Sequence, residues 1–536
     1  MSISYDKINK IWTSEREESI YSEKTSLGEI VYQQLQNFPN KVIQIDDTNN
    51  TKVTAQEAWE WGIRIAQHLR QLKLDENDVI GIVALNTTYV LPAAIGCLFN
   101  GTPIHTVNPK LDLDTISHCL NITKPKLIFC DGGNCELLQK ASSSFNPIFY
   151  TLSEHIKGIP KIVDMLKATT GETKYRPAKL SKGVKQTVAI LCSSGTTGKP
   201  KAVCISSSLF LFYDWINNNE SVLYISSGID WITGIYFLFS SCIRGFTRII
   251  FNKTFETSHF LEILKKYQIT TAFLSSRYVA ALVQHPDVSR ENLKHLKSIT
   301  FGGSALSEVN SEKLIQLCSE SAKISFCYGS TEMGPISQRC EKRKFNSVGK
   351  LFNNLQLAIV SDEGQHLGPN EIGEIIVKMP YPWNGYYGNP QESAKAVDDH
   401  GWFHSGDVGY VDDDHDLFIV DRKKEILKYR GLQFSTNEIE GVIAELTGVR
   451  DVCVVSVFNE TDGDLAGALV VLAEGSNLKQ QDVIDHVKQR LVSPHKHLNA
   501  GAYFVDKLPQ NLNGKLIKKE ASELLRKLAA KNHLVK

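Results

Sequence analysis

Thr187-Val-Ala-Ile-Leu-Cys-Ser-Ser-Gly-Thr-Thr-Gly-Lys-Pro-Lys201 is the segment on which the reading of this chain turns. An apolar run of strand length passes directly into hydroxyls, glycines and lysines. Residues 188–192 have the pattern of a buried strand. The polar half buries nothing, and it holds more hydroxyls than a turn requires. Such a run wraps polyphosphate. Gly195 and Gly198 let backbone N–H groups come close, Ser193, Ser194, Thr196 and Thr197 add donors, and Lys199 and Lys201 add point charges. It is not the P-loop pattern G-x-x-x-x-G-K-[ST], because Pro200 follows Lys199. A merely solvated loop is the weaker reading, since this composition rarely follows an apolar strand.

Outward from that segment, apolar runs alternate with stretches of helical period. Residues 79–85, 126–130, 248–251, 271–274 and 298–301 read as buried strands. Residues 56–72, 115–120, 259–267 and 308–319 carry apolar side chains at three- and four-residue spacing. Alternation of this kind predicts α/β layers around largely parallel sheets, with ligand sites in the loops beyond the strand ends. Near residue 370 the style changes to short strands, 374–378, 409–411 and 417–420, separated by Gly/Asp turns. These read as an antiparallel sheet or barrel. Beyond Arg422 a Lys-rich segment (Lys423, Lys424, Lys428) leads to a compact α+β pattern. It has helices at 436–446 and 480–491 and strands at 452–458, 466–473 and 502–505. The boundary falls at residues 421–423.

Bulk composition excludes several classes. The chain has 536 residues, 42% apolar and 22% charged, the balance of a globular protein. With 59 basic and 59 acidic residues, it has no basic excess that would point to nucleic acid. The longest apolar tract, 235–251, is broken by Arg244 and Arg248 and makes a poor transmembrane segment. Eleven cysteines without a C-x-x-C pair indicate neither a disulfide framework nor a zinc site. The first residues, MSISYDKINKIW, lack an apolar signal core. The expectation is a reducing, intracellular compartment, the cytosol ahead of the peroxisome, because the ending His533-Leu-Val-Lys536 is not the S-K-L address.

Four further motifs carry chemistry. Tyr328-Gly329-Ser330-Thr331-Glu332 follows the apolar run 324–327. A carboxylate just past such a turn suits Mg²⁺, which takes one or two carboxylates together with phosphate oxygens. Thr331 offers a donor to phosphate and Tyr328 a ring face to a base. Gly302-Gly303-Ser304 ends another strand and lets backbone approach a flat ligand. Each has a plain turn as its rival reading; together they resemble a nucleotide floor. Trp402-Phe-His-Ser-Gly-Asp407 and Val420-Asp-Arg422 place a carboxylate and an arginine where vicinal ribose hydroxyls are gripped, with turn capping the rival for Asp407. His400 and His404 have the i, i+4 spacing of helical metal ligands, but Gly401 and Ser405-Gly406 argue against a helix. Asn513-Gly-Lys515 is a hairpin signal whose lysine, taken alone, is solvated.

In order and spacing, SSGTTGKPK (193–201), YGSTE (328–332), WFHSGD (402–407), VDRKKEILKYRG (420–431) and NGK (513–515) resemble the adenylate-forming superfamily. Acyl-CoA synthetases, 4-coumarate–CoA ligases and beetle luciferases belong to it. The likeness runs from about residue 25 to about residue 525. It implies a large N-terminal domain, residues 1–421, of two α/β subdomains plus a β-barrel, and a small, mobile α+β C-terminal domain, residues 422–536. It also implies ATP, Mg²⁺ and coenzyme A. Thr196, Thr197 and Lys201 then cover the β- and γ-phosphates. Glu332 holds Mg²⁺, and Thr331 meets phosphate. Gly302, Gly303 and Tyr328 line the adenine, and Asp407 and Arg422 the ribose. Lys515 bridges the substrate carboxylate and the α-phosphate. Lys428 and Gly431 belong to a second face of the small domain, presented by rotation about residues 421–423 for thioester formation.

Departures from the pattern are informative. Ala202 stands where the family usually has glycine after the second lysine. Asp230-Trp-Ile-Thr-Gly234 lacks the histidine that beetle luciferases carry near the acyl pocket, which argues against light emission. The leading expectation is an acyl-CoA synthetase for a medium- or long-chain fatty acid, with the aromatic-rich stretch 229–239 as wall of the acyl channel or as a core helix. An aryl-acid ligase of the 4-coumarate type, a luciferase-like enzyme and a non-catalytic binding homologue are the alternatives. Glu332 and Lys515 are both present, which disfavours the last.

Overall fold

A computed structural model describes residues 2–193, 200–212, 219–304, 306–340, 344, 347–423, 425–430, 432–459, 461–510 and 516–531. Strands among these residues gather into three sheets. In the first, Ile148–Ser153, Leu127–Asp131, Ile80–Val83, Ile104–Thr106 and Thr187–Ser193 run parallel, and Lys201–Ser206 closes one edge antiparallel. In the second, Val42–Asp46, Thr247–Ile250, Val222–Ile225, Thr271–Ser275, Ser298–Gly302 and Lys323–Ser330 form a parallel block. The apolar runs of the sequence supply these strands because both faces are covered, which favours continuous rather than alternating hydrophobicity.

The expected β-barrel takes a different form. Gly334–Arg339 folds back antiparallel on Lys323–Ser330 and passes the pairing on through Ser347–Leu351, Leu417–Arg422, Phe403–Val411, Gly373–Lys378, Gln356–Val360 and Ile11–Ser14. These strands therefore continue the second sheet, and among the described residues they do not close on themselves. The hairpin after Tyr328 is the cause, because it hydrogen-bonds the antiparallel strands to the parallel block.

Between the two large sheets lies one continuous apolar core. Its centre is the helix Ile232–Arg244, on which Ile235, Tyr236, Phe237, Leu238 and Phe239 are all buried. A helix apolar on all sides belongs inside a core. It ends where Gly245 adopts φ 75°, a left-handed conformation that glycine takes without strain. Phe210 stacks on Tyr236 and meets Phe239 edge-on, and Phe273 contacts Phe237. Burying each such ring contributes about 1.5–3 kcal/mol. The stretch 229–239, read from sequence as channel wall or core, is core over Ile235–Phe239. Nearby, the helices Ala55–Gln71 and Val90–Asn100 cross at Gly62 and Gly96. A Cβ on Gly96 would lie 2.4 Å from Ile65 Cγ2, so only glycine allows this approach. Among the described residues no helix is long and apolar enough to cross a membrane.

The third sheet, Leu432–Phe434, Leu427–Tyr429, Gly463–Leu472 and Val449–Asn459, forms the small α+β unit. Helices Thr436–Ile443 and Gln480–Arg490 bury one face of it and Lys518–Lys531 the other. A buried charge cluster marks its junction with the large sheet. Asp421 Oδ2 accepts from Ser435 Oγ (2.8 Å) and from Thr436 N (3.0 Å), while Lys518 Nζ bonds Thr436 Oγ1 (2.9 Å) and pairs with Glu425 (2.8 Å). Glu440, accepting from Val454 N at 2.7 Å, is pushed up to about 7 by burial, with Lys518 opposing.

Two outcomes follow from this packing. Gly96→Ala should destabilise the chain by about 1–3 kcal/mol through overpacking, read as a lower denaturant midpoint at unchanged slope. Glu440 binds its proton more tightly in the folded state than in the unfolded one. Its contribution is therefore present at low pH and is lost as pH rises from the ordinary glutamate range through about 7. The fall in melting temperature between pH 5 and pH 8 should thus be smaller in Glu440→Gln than in the wild type.

Candidate functional site

Residues Ser194, Gly195, Thr196, Thr197, Gly198 and Lys199 lie outside the described residues, but both ends of their segment are placed. Ser193 and Lys201 face each other across the antiparallel pair, and Ser193 Oγ donates to Lys201 O at 3.4 Å. His118 bonds Pro200 O at 2.9 Å. Lys201 Nζ sits 2.6 Å from Glu392 and 4.8 Å from the centroid of the Tyr386 ring. Hydrogen bonds from Lys201 and Lys395 hold the Glu392 carboxyl down at about 2.

The ends of the parallel strands bring the other candidates together. Gly302 pairs with Cys327, so the Gly302-Gly303-Ser304 turn lies beside the strand that carries Tyr328. Gly303 has φ 93°, which favours glycine, and nothing lies within 4 Å of where its Cβ would stand. Gly302 and Gly329 are needed for another reason. A Cβ on either would meet backbone oxygen at 2.5 Å (Cys327 O) or 2.3 Å (Gly334 O). Ser276 Oγ ties the floor down, donating to Ser304 O at 2.5 Å.

Tyr328, Asp407 and Arg422 meet from three segments. Tyr328 OH donates to Asp407 Oδ2 at 2.5 Å, and Arg422 Nε lies 2.7 Å from Asp407 Oδ1. Asp407 and Arg422 are direct partners in the antiparallel ladder, and Ser405 Oγ accepts from Asp407 N at 3.0 Å. Asp407 is buried, whereas Arg422 stands at the rim. Burial, followed by the charge of Asp407, raises the Tyr328 hydroxyl well above its ordinary value, so it stays a donor. Glu332 Oε1, at the hairpin that follows, accepts from Tyr386 OH at 3.0 Å. Thr331 and Glu332 line a cleft with Ser206, Ser208, Tyr381 and Trp383. Through Tyr386 the Glu332 carboxylate and the Lys201 ammonium become neighbours of one ring.

Other candidates are placed apart or not at all. Lys428 is exposed on the small-domain strand Leu427–Tyr429, where its N–H donates to Asp464 Oδ2 at 2.9 Å. Gly431, Lys424 and Lys515 lie outside the described residues. The segment 511–515 is bracketed by a bridge between Gln510 and Leu516, and Gln510 Oε1 accepts from Arg277 Nη1 of the large domain. His404 lies on the strand Phe403–Val411 rather than on a helix, 3.5 Å from Glu374. No group of three metal-ligating side chains occurs among the described residues.

Sequence reading missed Tyr386, Glu392 and Arg277. One signal was available: Asn389-Pro390 opens the helix Pro390–Ala396, with Asn389 Oδ1 accepting from Glu392 N at 3.1 Å. Asn at the cap and Pro in the first turn is a helix start, and it fixes Glu392 within that turn.

The chain matches known families over most of its length. The family model for the AMP-binding enzyme covers residues 31–387, and that for the AMP-binding enzyme C-terminal domain covers 438–515. The chain belongs to the AMP-binding enzyme family. This AMP-binding enzyme is 26% identical over 507 residues to 4-coumarate-CoA ligase 1 of Narcissus pseudonarcissus, covering 91% of this chain and 92% of that one. It is 26% identical over 530 residues to luciferin 4-monooxygenase of Photinus pyralis, covering 94% and 95%. The solved structure of ATP-bound MatB from Rhodopseudomonas palustris shares its fold, with TM-score 0.83 at 20% identity, covering 94% of this chain and 99% of that one.

Asp407→Ala removes the acceptor that joins Tyr328 and Arg422. Nucleotide affinity, measured calorimetrically with AMP, should fall by about tenfold or more, the worth of a charge-assisted hydrogen bond, while circular dichroism stays unchanged.

Proposed function

We propose that this AMP-binding enzyme is an ATP-dependent acid–thiol ligase. A substrate carboxylate oxygen attacks the α-phosphorus of ATP, and the bond to the β-phosphate breaks and releases pyrophosphate. The sulfur of coenzyme A then attacks the acyl carbon, and AMP leaves. The observation that carries this reading is the Tyr328–Asp407–Arg422 constellation. It lies beside the open Gly303 turn, with Glu332 one hairpin away. In this reading Gly302, Gly303, Ser304 and the Tyr328 ring receive the adenine, and Asp407 and Arg422 the ribose.

The physical difficulty is an anionic nucleophile approaching a polyanion. Positioning and charge neutralisation must supply most of the acceleration. Lys201, with the hydroxyls and Lys199 of the sequence motif, serves the outer phosphates, and Thr331 donates to phosphate. Glu332 offers one carboxylate, which suits an Mg²⁺ ion shared with triphosphate oxygens better than a resident ion. When bound, that ion neutralises phosphate charge. Lys515, from the sequence motif, brings a positive charge to the substrate carboxylate and the α-phosphate. Lys428 serves the thioester half after the small domain, residues 422–536, turns about residues 421–423.

For the acid, a compact aryl substrate is the reading with more support. The helix that a long aliphatic tail would run along packs Ile235–Phe239 into the core against Phe210 and Phe273. The relative from Narcissus is named for 4-coumarate. A medium- or long-chain fatty acid is the second reading.

AMP formation from ATP, Mg²⁺ and coenzyme A, compared across aryl acids and a saturated acid series, tests both. An optimum among aryl acids supports the first reading, and an optimum at eight carbons or longer supports the second. AMP formation with no acid would contradict the ligase. Glu332→Ala should lower adenylation by about 10²–10³-fold, the cost of losing one preorganised group. Lys515→Ala should depress pyrophosphate release at least as much while sparing thioester formation from a supplied acyl adenylate. Equal loss of both halves would count against domain alternation.

A further inference from the structure

We propose that Arg277 is a positioning residue that holds the small domain in the orientation used for acyl-adenylate formation; the assignment rests on the ligase reading above. Arg277 lies in the first turn of the helix Ser276–Gln284, directly after the strand Thr271–Ser275. Its base is rigid on both sides. Ser275 caps the helix by accepting from Tyr278 N at 3.3 Å, and Ser276 Oγ is bonded to the Gly302–Ser304 turn. The guanidinium is thus carried by the same backbone that forms the candidate nucleotide floor.

From that base Arg277 reaches across the domain boundary. Its Nη1 donates to Gln510 Oε1, and Gln510 Nε2 in turn donates to Asp451 Oδ2 at 3.4 Å. The Asp451 carboxylate is itself oriented by Val452 N at 3.0 Å. A cation on the large domain, an amide used at both ends and an anion on the small domain form a directional chain. Burial raises the Asp451 carboxyl, and the Arg277 charge draws it back down. Gln510 is also structurally tied. It bridges to Leu516, and Ile517 N donates to Pro509 O at 3.0 Å. Fixing Gln510 therefore fixes the root from which the Asn-Gly-Lys motif departs.

Leverage makes this contact decisive. Asp421, Arg422 and Lys423 make polar links between the domains at the connection itself: Asp421 accepts from Ser435 and Thr436, Arg422 pairs with Asp407, and Lys423 pairs with Glu374. A bond at the pivot fixes the joint but leaves the angle open. The Arg277–Gln510 contact joins segments far along the chain from that connection on both sides, and so it adds a second, separate attachment that biases the angle. An isolated surface pair contributes little to stability. A guanidinium on an amide that is already fixed by a carboxylate keeps its geometry and shifts a two-state equilibrium further.

The test uses the full-length enzyme. Arg277→Ala should slow acid-dependent ATP–pyrophosphate exchange by about tenfold in kcat with the KM for ATP within about twofold, the mark of a shifted domain equilibrium rather than a lost ligand contact. Thioester formation from a supplied acyl adenylate should be unchanged, and Arg277→Lys should recover part of the exchange rate. Equal loss in both halves, or none in either, overturns the assignment. A second readout needs no catalysis. The double variant Arg277→Cys/Gln510→Cys, in a Cys340→Ser background, should be joined at positions 277 and 510 by a short bismaleimide. The spacer replaces the reach of the two lost side chains, because tip-to-tip contact of long side chains leaves the backbones too far apart for a direct disulfide. The cross-link is seen by mass spectrometry and is absent from either single variant. Failure to cross-link overturns the contact. Cross-linking in an enzyme whose wild type exchanges no pyrophosphate with any acid overturns the ligase reading, and the positioning role with it.

Discussion

The buried carboxylate of Asp407 is the constraint around which the large domain is organised. It accepts from Tyr328 and pairs with Arg422, so it joins a parallel strand end to an antiparallel ladder. A buried anion is costly unless donors surround it, and each donor here fixes a different element. Tyr328 requires the Lys323–Ser330 strand to end where it does. Arg422 requires the ladder to run to the last residue of the strand Leu417–Arg422. The fusion of the two strand systems into one open sheet is the architectural consequence, because the site needs both edges in one plane.

The same ladder explains how one strand serves two domains. Along Leu417–Arg422, Arg422 looks into the candidate site while Asp421 is buried against Ser435 and Thr436. Successive residues of a strand point to opposite faces. One step along the chain therefore separates the candidate site from the contact with Ser435 and Thr436. Lys518, Glu425 and Glu440 complete a charge cluster beside Asp421. A low-dielectric cluster of this kind favours a small number of defined arrangements over a loose joint.

How much of this was legible in the sequence divides along a physical line. Strands buried on both faces were found within a residue or two, as with 271–274 against Thr271–Ser275 and 298–301 against Ser298–Gly302. Their signal is local and continuous. The strand-end turns were legible too, since Gly303 and Gly329 are demanded by backbone geometry that only glycine satisfies cheaply. The barrel was not legible as an open sheet, because closure depends on which edges pair and not on any strand's own pattern. Residues 229–239 stayed ambiguous for the same reason, as an apolar helix reads alike whether it lines a channel or fills a core. Tyr386, Glu392 and Arg277 escaped because each acts on a partner far along the chain, and spacing carries no record of that.

Reaction at the α-phosphorus is tested most directly by isotope transfer. The enzyme would be supplied with ATP, coenzyme A and an accepted acid carrying ¹⁸O in its carboxylate, and the released nucleotide examined by mass spectrometry. Attack by the carboxylate on the α-phosphorus predicts AMP carrying one ¹⁸O and pyrophosphate carrying none. Label in inorganic phosphate with ADP as the nucleotide product, or AMP free of label, would contradict the account.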